Sequence, residues 1–209
     1  MATIFVAGAN GQTGRLIASQ LAEAGHQVRG LIRDAGQGTH LEAAGVECCV
    51  GDLTGTFSHG LKDAEIVYCA AGAGVAGNPE EIDHLATVRL IEQCVLQKVQ
   101  RFVLISSMGT THVDQMPSML KPFLEAKRKA EVILEESGLT YTIIRPGGLN
   151  NQPGTGLIQA APLLHKSGVI SRTDVARAAV LALTIPQTEN KAFDLLEGDQ
   201  PIADALSGL

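Results

Sequence analysis

The first glycine-rich turn of the chain reads GANGQTG and runs from Gly8 to Gly14. An apolar run, Thr3 to Ala7, precedes it, and residues 12–24 follow it with apolar side chains at helical spacing. Glycines between a strand and a helix permit a tight turn and let backbone approach a pyrophosphate, and the helix N-terminus favours the anion. A turn made only for packing is the alternative. The pattern predicts a dinucleotide site that includes Gly8, Asn10, Gly11, Gln12, Thr13 and Gly14.

The rest of the chain repeats the same rhythm of apolar run, turn and amphipathic stretch. Further strands are predicted over 28–33, 46–50, 66–70, 101–106, 140–145 and 191–196, and helices over 79–97, 122–138 and 173–184. Uniformly apolar strands that alternate with helices indicate a parallel sheet covered on both faces, and right-handed crossovers make it doubly wound. We therefore expect one α/β domain with a Rossmann-like sheet over residues 1–209.

One segment, residues 147–168, shows no clear period. It follows a predicted strand, and open α/β sheets bind ligands at the carboxyl ends of their strands. A connection of about 20 residues in a compact domain is commonly functional. We expect a substrate-side loop in which Leu149, Leu157 and Ile158 form an aliphatic wall. A plain surface excursion is the alternative.

Composition excludes several classes of partner. The net charge is −6, which disfavours nucleic acid and anionic membranes, and no apolar run reaches the roughly 18 residues of a membrane span. The four cysteines form no CxxC pair and no zinc-ligand spacing, so no metal site is expected. The first residues have no basic region typical of a signal peptide. We expect a cytoplasmic monomer that binds a small molecule.

The end of the second predicted strand bears on which dinucleotide is bound. In the NAD form of this fold, an acidic residue about 20 residues beyond the glycine turn holds the ribose 2′-hydroxyl. Arg33 stands 19 residues after Gly14. A guanidinium suits a 2′-phosphate, which favours NADP(H) over NAD. Asp34 complicates this interpretation, although neighbours on a strand point in opposite directions. A solvated Arg–Asp strand end is the alternative.

Several segments together resemble one family, the atypical short-chain dehydrogenase/reductases of the NmrA-like, NAD(P)-binding group. They are GANGQTG, LIRD, VGDL, AAGAG, RFVLISS, YTIIRPGGL and SRTDVA. Within the group, the chain length and the GQTG and LIRD segments resemble flavin reductase/biliverdin-IXβ reductase proteins.

The resemblance implies roles for residues that follow the strands. Asp52 and Leu53 would flank the adenine, and Ala71 and Gly72 would line the cofactor crevice. Ser106 and Ser107 would lie beside the nicotinamide, with Pro146 just past the sixth strand. Ser107 is the candidate catalytic residue, in an orienting role, with backbone pairing at a strand end as the alternative.

The chain departs from the wider superfamily at one position. The dehydrogenases and epimerases of that superfamily use a Tyr four residues before a Lys, but in this chain Phe123 stands four residues before Lys127. A phenyl ring has no O–H, so it transfers no proton. The helical wheel places Lys127 at the margin of the apolar face, which favours a role in holding the nicotinamide ribose. The alternative is a lysine whose stem covers apolar surface.

Three functions compete. The first is an NADPH-dependent reductase that passes hydride to a planar conjugated acceptor, a flavin or biliverdin-type tetrapyrrole, with the proton taken from solvent. The second is a non-catalytic NADP(H)-binding sensor of the NmrA type. The third is a sugar epimerase or dehydratase, which Phe123 disfavours.

Overall fold

A computed structural model describes residues 1–74 and 76–209 and places strands and helices in alternation along the chain. The strands are β1 Thr3–Ala7, β2 Gln27–Ile32, β3 Glu47–Val50, β4 Ile66–Cys69, β5 Arg101–Ile105, β6 Tyr141–Pro146, β7 Gly148–Asn150, β8 Leu157–Ala161, β9 Val169–Ser171, β10 Lys191–Glu197 and β11 Gln200–Pro201. The α-helices are α1 Gln12–Glu23, α2 Thr39–Ala43, α3 Thr87–Leu96, α4 Lys121–Glu136, α5 Arg172–Leu181 and α6 Ile202–Ser207. A π-helical stretch, Glu80–Ala86, leads directly into α3.

Within the described residues, nine strands form one sheet in the order β3-β2-β1-β4-β5-β6-β10-β8-β11. The strands from β3 to β10 are parallel to their neighbours. At the far edge, β8 runs antiparallel to both β10 and β11. The fold is therefore the expected Rossmann-like, single-domain α/β architecture, with a sheet that is mostly rather than wholly parallel.

Two apolar cores cover the two faces of this sheet. One face packs against α1, α5 and α6, with Ile17, Val175 and Leu206 fully buried there. The other face packs against α3 and α4, with Leu90 and Leu134 fully buried. Burial on both faces explains why the central strands are apolar at nearly every position.

The expectation of a loop over residues 147–168 is wrong in part. The segment contains β8, a full strand of the main sheet, and β7, which pairs with β9 in a separate two-stranded sheet. Flanking glycines and prolines, and the short run LIQAA, gave β8 too little periodic signal to identify.

The strand order reverses at β1, since the chain passes from β1 to β2 on one side and later to β4 on the other. Two crossovers that leave in opposite directions open a crevice between the carboxyl ends of β1 and β4. The glycine turn and the segment after β4 therefore meet at this crevice. Among residues 1–74 and 76–209, no helix is long and apolar enough to cross a bilayer.

Candidate functional site

The three glycines of the first turn have different steric surroundings. Gly8 has φ +79°, and a Cβ there would lie 2.6 Å from the backbone nitrogen of Ala71. A Cβ on Gly14 would lie 2.1 Å from the carbonyl oxygen of Gly8. A Cβ on Gly11 would meet only that same oxygen, at 3.1 Å. The first and third glycines are therefore required for packing, while the second leaves backbone open to the crevice.

The N-terminus of α1 is left without partners. Gly11 is its N-cap and supplies no side chain, and the first turn holds no acidic residue. In the described part of the chain, the backbone N–H groups of Gln12, Thr13 and Gly14 have no acceptor. Unpaired N–H groups and the positive end of the helix dipole form a ready site for a phosphate group.

A crevice of about 560 Å³ lies beside this helix end. Of the residues predicted to bind the cofactor, eight line it: Gly8, Asn10, Gly11, Arg33, Asp52, Leu53, Ala71 and Gly72. The lining also includes residues that the sequence did not single out, among them Gln37, Thr54, Ala73, Glu81 and Ile82. The predicted residues Gln12, Thr13, Gly14, Ser106, Lys127 and Pro146 lie outside this lining. The walls come from the ends of β1, β2, β3 and β4, as the topology requires.

The structure separates the two charges at the end of β2. Asp34 turns back on its own backbone and accepts a hydrogen bond from Gly36 N at 2.7 Å. Arg33 is exposed at the crevice, and its guanidinium has no hydrogen-bond or ion-pair partner among the described residues. Its backbone N–H donates to Gln37 Oε1 at 3.1 Å. The carboxylate therefore caps a turn, and the guanidinium stands unpaired at the crevice among the described residues.

Asp52, after β3, is held by Thr54. Its Oδ1 accepts hydrogen bonds from the backbone nitrogen and the hydroxyl of Thr54, both at 2.8 Å. These two bonds hold the pKa of Asp52 below its usual range, and the charges of Arg33 and Arg89 act in the same direction. The crevice therefore carries a fixed carboxylate at the end of β3.

Lys127 does not stand alone, as the sequence suggested, but pairs with a buried acid. Its Nζ lies 2.8 Å from Asp83 Oδ1, and the Asp83 side chain is 1% exposed. Asp83 Oδ2 accepts a hydrogen bond from Ala73 N at 2.9 Å. Asp83 was not predicted from the sequence, although it falls at i, i+3 and i+7 with the apolar Ala86 and Leu90. An acid on an apolar helix face signals a buried partner.

Ser106 lies at the end of β5 in a second buried network. Its hydroxyl donates to Glu131 Oε1 at 2.5 Å, and the same carboxylate binds Arg145 through Nε and Nη2. Thr110 also donates to it. Burial raises the pKa of Glu131, but the hydrogen bonds and charge of Arg145 outweigh it and the net pKa is lowered. The Ser106 hydroxyl is thus occupied by Glu131, and its contact with a nicotinamide stays a prediction.

The neighbouring residues give weaker indications. Ser107 is half-buried, and its hydroxyl donates to the Met108 carbonyl at 3.2 Å. The Pro146 carbonyl accepts from Met108 N at 2.9 Å, which joins the ends of β5 and β6. The orienting role of Ser107 and the cofactor contact of Pro146 remain predictions.

Neither tyrosine of the chain stands in for Phe123. The sequence contains two, Tyr68 and Tyr141. Tyr68 is fully buried within β4, and its hydroxyl donates to the Ala179 carbonyl at 2.9 Å. Tyr141 begins β6, at the edge of the sheet opposite the crevice. No tyrosine hydroxyl is therefore available at the carboxyl ends of the strands.

The predicted aliphatic wall is divided by the fold. Ile158 has no exposed surface and packs in the core with Phe193 and Leu206, so the prediction that it contacts substrate is corrected. Leu149 and Leu157 are 37% and 39% exposed, but they belong to strands of different sheets. Only these two remain as candidates for contact with a substrate.

The residues present fit a nicotinamide dinucleotide. Three unpaired N–H groups suit a pyrophosphate, the bare Gly11 leaves space beside them, and an unpaired guanidinium marks the end of β2. For metals the result differs, because residues 1–74 and 76–209 contain no group of three or more His, Cys, Asp or Glu side chains placed to hold one.

Comparison with known proteins identifies the family of the chain. YhfK of Bacillus subtilis, named as an uncharacterized sugar epimerase, is 39% identical over 99% of both chains. Sanguinarine reductase of Eschscholzia californica is 31% identical over 97% of this chain and 92% of its own. A Bacillus halodurans structure, proposed to be an NAD-dependent epimerase/dehydratase, superposes with a TM-score of 0.96 at 33% identity and full coverage of both chains. The model of the NAD(P)H-binding family matches residues 8–186, and the chain belongs to that family.

Proposed function

We propose that the protein is an NADPH-dependent reductase of a flat, conjugated acceptor such as a flavin or a linear tetrapyrrole. One observation carries the proposal: a crevice lined by eight of the predicted cofactor residues occurs in a chain in which Phe123 stands where the wider superfamily has its tyrosine. The crevice supplies a cofactor. The missing hydroxyl limits the chemistry to acceptors that need no proton from that position.

Arg33 supports the phosphorylated cofactor. Its guanidinium is unpaired among the described residues, while the adjacent carboxylate of Asp34 is taken up by Gly36 N. A carboxylate at this point would repel a 2′-phosphate, and a guanidinium binds it through charge-assisted hydrogen bonds. The chain therefore would bind NADPH in preference to NADH.

When bound, NADPH supplies a hydride from its nicotinamide. The acceptor gains that hydride and one proton from water, so the sum of the two additions is a two-electron reduction. The chain binds and orients the two planar partners in one cleft, which is the main source of rate for such a transfer. A flavin or bilin ring delocalises the added charge, so proton transfer from water suffices.

The names of the relatives point to two different activities, reduction and sugar epimerisation. A relative named sanguinarine reductase favours reduction, and a relative named as a sugar epimerase favours sugar chemistry. Removing and returning hydrogen at a sugar carbon requires a positioned acid–base group. Because Phe123 has no hydroxyl and both tyrosines lie elsewhere, we favour the reductase.

A sensor that binds NADP(H) without turnover is the second candidate. It is favoured by the buried networks, because Ser106 and Lys127 are both engaged with carboxylates rather than free for chemistry. Such a protein would bind the cofactor through the same crevice and transfer nothing.

A spectrophotometric assay tests the proposal. The protein is mixed with NADPH and FMN, riboflavin or biliverdin, and the absorbance of the reduced nicotinamide is followed against a sample without protein. We expect catalysed oxidation of NADPH, with the cofactor binding first because its nicotinamide would form the floor of the acceptor site. Tight NADPH binding without oxidation by any of these acceptors would overturn the reductase and favour the sensor.

A further inference from the structure

The carboxylate of Asp83 is a buried charge with two well-formed contacts. One oxygen lies 2.8 Å from Lys127 Nζ, and the other accepts from Ala73 N at 2.9 Å. The side chain is 1% exposed, whereas that of Lys127 is 19% exposed. An ionised carboxylate is kept in such a place only when it is paired and hydrogen-bonded. Asp83 therefore joins α4 to the segment that follows β4.

That segment is a wall of the cofactor crevice. Gly72, Ala73 and Ile82 line the crevice, while Asp83 and Lys127 stand behind this lining. A Cβ on Gly72 would lie 3.2 Å from Asp83 Oδ1 and 3.9 Å from Lys127 Nζ. The missing side chain at Gly72 lets the backbone of the wall rest directly on the ion pair.

The backbone around Asp83 is specialised. Asp83 lies in the π-helical stretch Glu80–Ala86, and single turns of π-helix are frequent at functional sites. This stretch turns Asp83 into the protein interior, and Glu81 and Ile82 on the same stretch line the crevice. Asp83 is thus held between the cofactor wall and α4.

We propose that Asp83 is a positioning residue for cofactor binding, which fixes the Gly72–Ala73 wall and holds Lys127 as its counter-ion. Lys127 then supports the cofactor through Asp83 and not through a contact of its own with a ribose. The inference rests on the proposed function only in assuming that a nicotinamide dinucleotide binds in the crevice.

The pair is asymmetric, which makes the proposal testable. Without Lys127, Asp83 is a buried charge with no counter-ion, so the wall is expected to loosen. Without the charge at Asp83, Lys127 is able to turn its ammonium towards solvent. In the Asp83→Asn variant the amide oxygen still accepts from Ala73 N. The loss of NADPH affinity caused by removing Lys127 should therefore disappear when Asp83 is replaced by the neutral Asn.

The experiment titrates NADPH into four proteins and measures its affinity by calorimetry. The proteins are the unchanged chain, Lys127→Met, Asp83→Asn and the double variant. We expect Lys127→Met to weaken NADPH binding about 10-fold or more, and the double variant to bind within about 3-fold of the unchanged chain. A double variant as weak as Lys127→Met would overturn the proposal, because it would mean that Lys127 contacts the cofactor itself.

A matched control lies on the same two helical segments. Lys129 Nζ and Glu80 Oε2 are 2.9 Å apart, with side chains 52% and 49% exposed. Exposed pairs contribute little to stability, so Lys129→Met and Glu80→Gln should leave NADPH affinity unchanged. A loss in these controls equal to that of Lys127→Met would show that general damage to α4, not Asp83, explains the result.

Two further measurements test the proposal if the Lys127→Met variant does not fold. The first compares Asp83→Asn with the double variant: equal NADPH affinity supports the positioning role, and a weaker double variant contradicts it. The second is hydrogen exchange at Ala73 N without cofactor, which should become faster in Asp83→Ala and stay unchanged in Glu80→Gln. Because binding rather than turnover is measured, a chain that binds NADPH and reduces nothing contradicts only the reductase.

Discussion

Helices α1 and α5 pack against each other on one face of the sheet, but their N-termini are built in opposite ways. At α5, the Ser171 hydroxyl accepts from Thr173 N, and Asp174 lies in the first turn. At α1, Gly11 caps nothing, the first turn has no acid, and three N–H groups have no acceptor among the described residues. We call the N-terminus of α5 the closed end, because a side chain caps it, and that of α1 the open end, because its N–H groups have no acceptor among the described residues.

The closed end also holds a neighbouring segment. The Asp174 carboxylate, 1% exposed, accepts hydrogen bonds from the backbone nitrogens of Thr155 and Gly156 at 2.8 and 3.0 Å. An aspartate at the start of a helix is ordinarily explained by the helix dipole. Here the same side chain fixes the chain before β8. The role of an acidic residue in the first turn of a helix is therefore known only when the groups that contact its side chain are known.

The largest effect is expected from Gly14→Ala at the open end. Its Cβ would lie 2.1 Å from the Gly8 carbonyl oxygen, so the turn has to move. We expect the free energy of unfolding to fall by about 3 kcal/mol, and NADPH binding to be lost with it. Urea denaturation and a cofactor titration measure the two effects.

Gly25→Ala is the control for that variant. Gly25 has φ +86°, but nothing lies within 4 Å of its added Cβ. It should lose only about 1 kcal/mol, from backbone strain. A Gly14→Ala protein no less stable than Gly25→Ala would show that the close approach of α1 to β1 is not required.

The open end is tested more selectively by Gly11→Asp. Gly11 has an extended backbone, φ −68° and ψ 159°, that suits any N-cap residue. Aspartate is a good cap, but its Cβ would lie 3.1 Å from the Gly8 carbonyl oxygen, so we expect the free energy of unfolding to change by no more than about 1 kcal/mol. The new carboxylate would occupy the N–H groups and repel phosphate, so NADPH affinity should fall about 100-fold, using 1.5–3 kcal/mol per hydrogen bond to a charged group. Unchanged NADPH affinity would mean that the pyrophosphate binds elsewhere.

At the closed end, Asp174→Ala should act on stability alone. It removes two hydrogen bonds from the backbone of Thr155 and Gly156 to a buried carboxylate, which costs about 2 kcal/mol. NADPH affinity should stay near that of the unchanged chain, because Asp174 is not part of the crevice lining. Arg177→Ala, which removes only the exposed partner of Asp174, should cost less than about 1 kcal/mol. A larger loss of cofactor affinity than of stability in Asp174→Ala would contradict the separation of the two ends.

Part of the fold and of the site was predictable from the sequence. The central strands and the glycine turn follow from local patterns, since apolar runs and fixed glycine spacing act over a few residues. Eight of the predicted cofactor residues line the crevice because they follow strand ends that the topology brings together. Those features depend on the order of elements and not on side-chain contacts.

The missed features depend on contacts between distant residues. Lys127 and Asp83 are 44 positions apart in sequence, and no local pattern pairs them. Glu131 lies on α4 among several charged residues that are exposed or half-buried, but its own carboxylate is fully buried against Arg145. Ile158 looked like a loop residue because β8 is short and bounded by glycine and proline. The burial of Asp83, Glu131 and Ile158 depends on tertiary packing, which no local sequence pattern records.

We propose that the open end of α1 and Arg33 together bind a phosphorylated dinucleotide. This proposal is tested most directly by titrating NADPH and NADH into the unchanged chain and into Arg33→Ala under one set of conditions. The unchanged chain should bind NADPH more tightly, and Arg33→Ala should lose about 1.5–3 kcal/mol of NADPH binding while NADH binding changes little. Equal weakening of both cofactors, or equal affinity for both in the unchanged chain, would contradict the assignment of Arg33 to the 2′-phosphate.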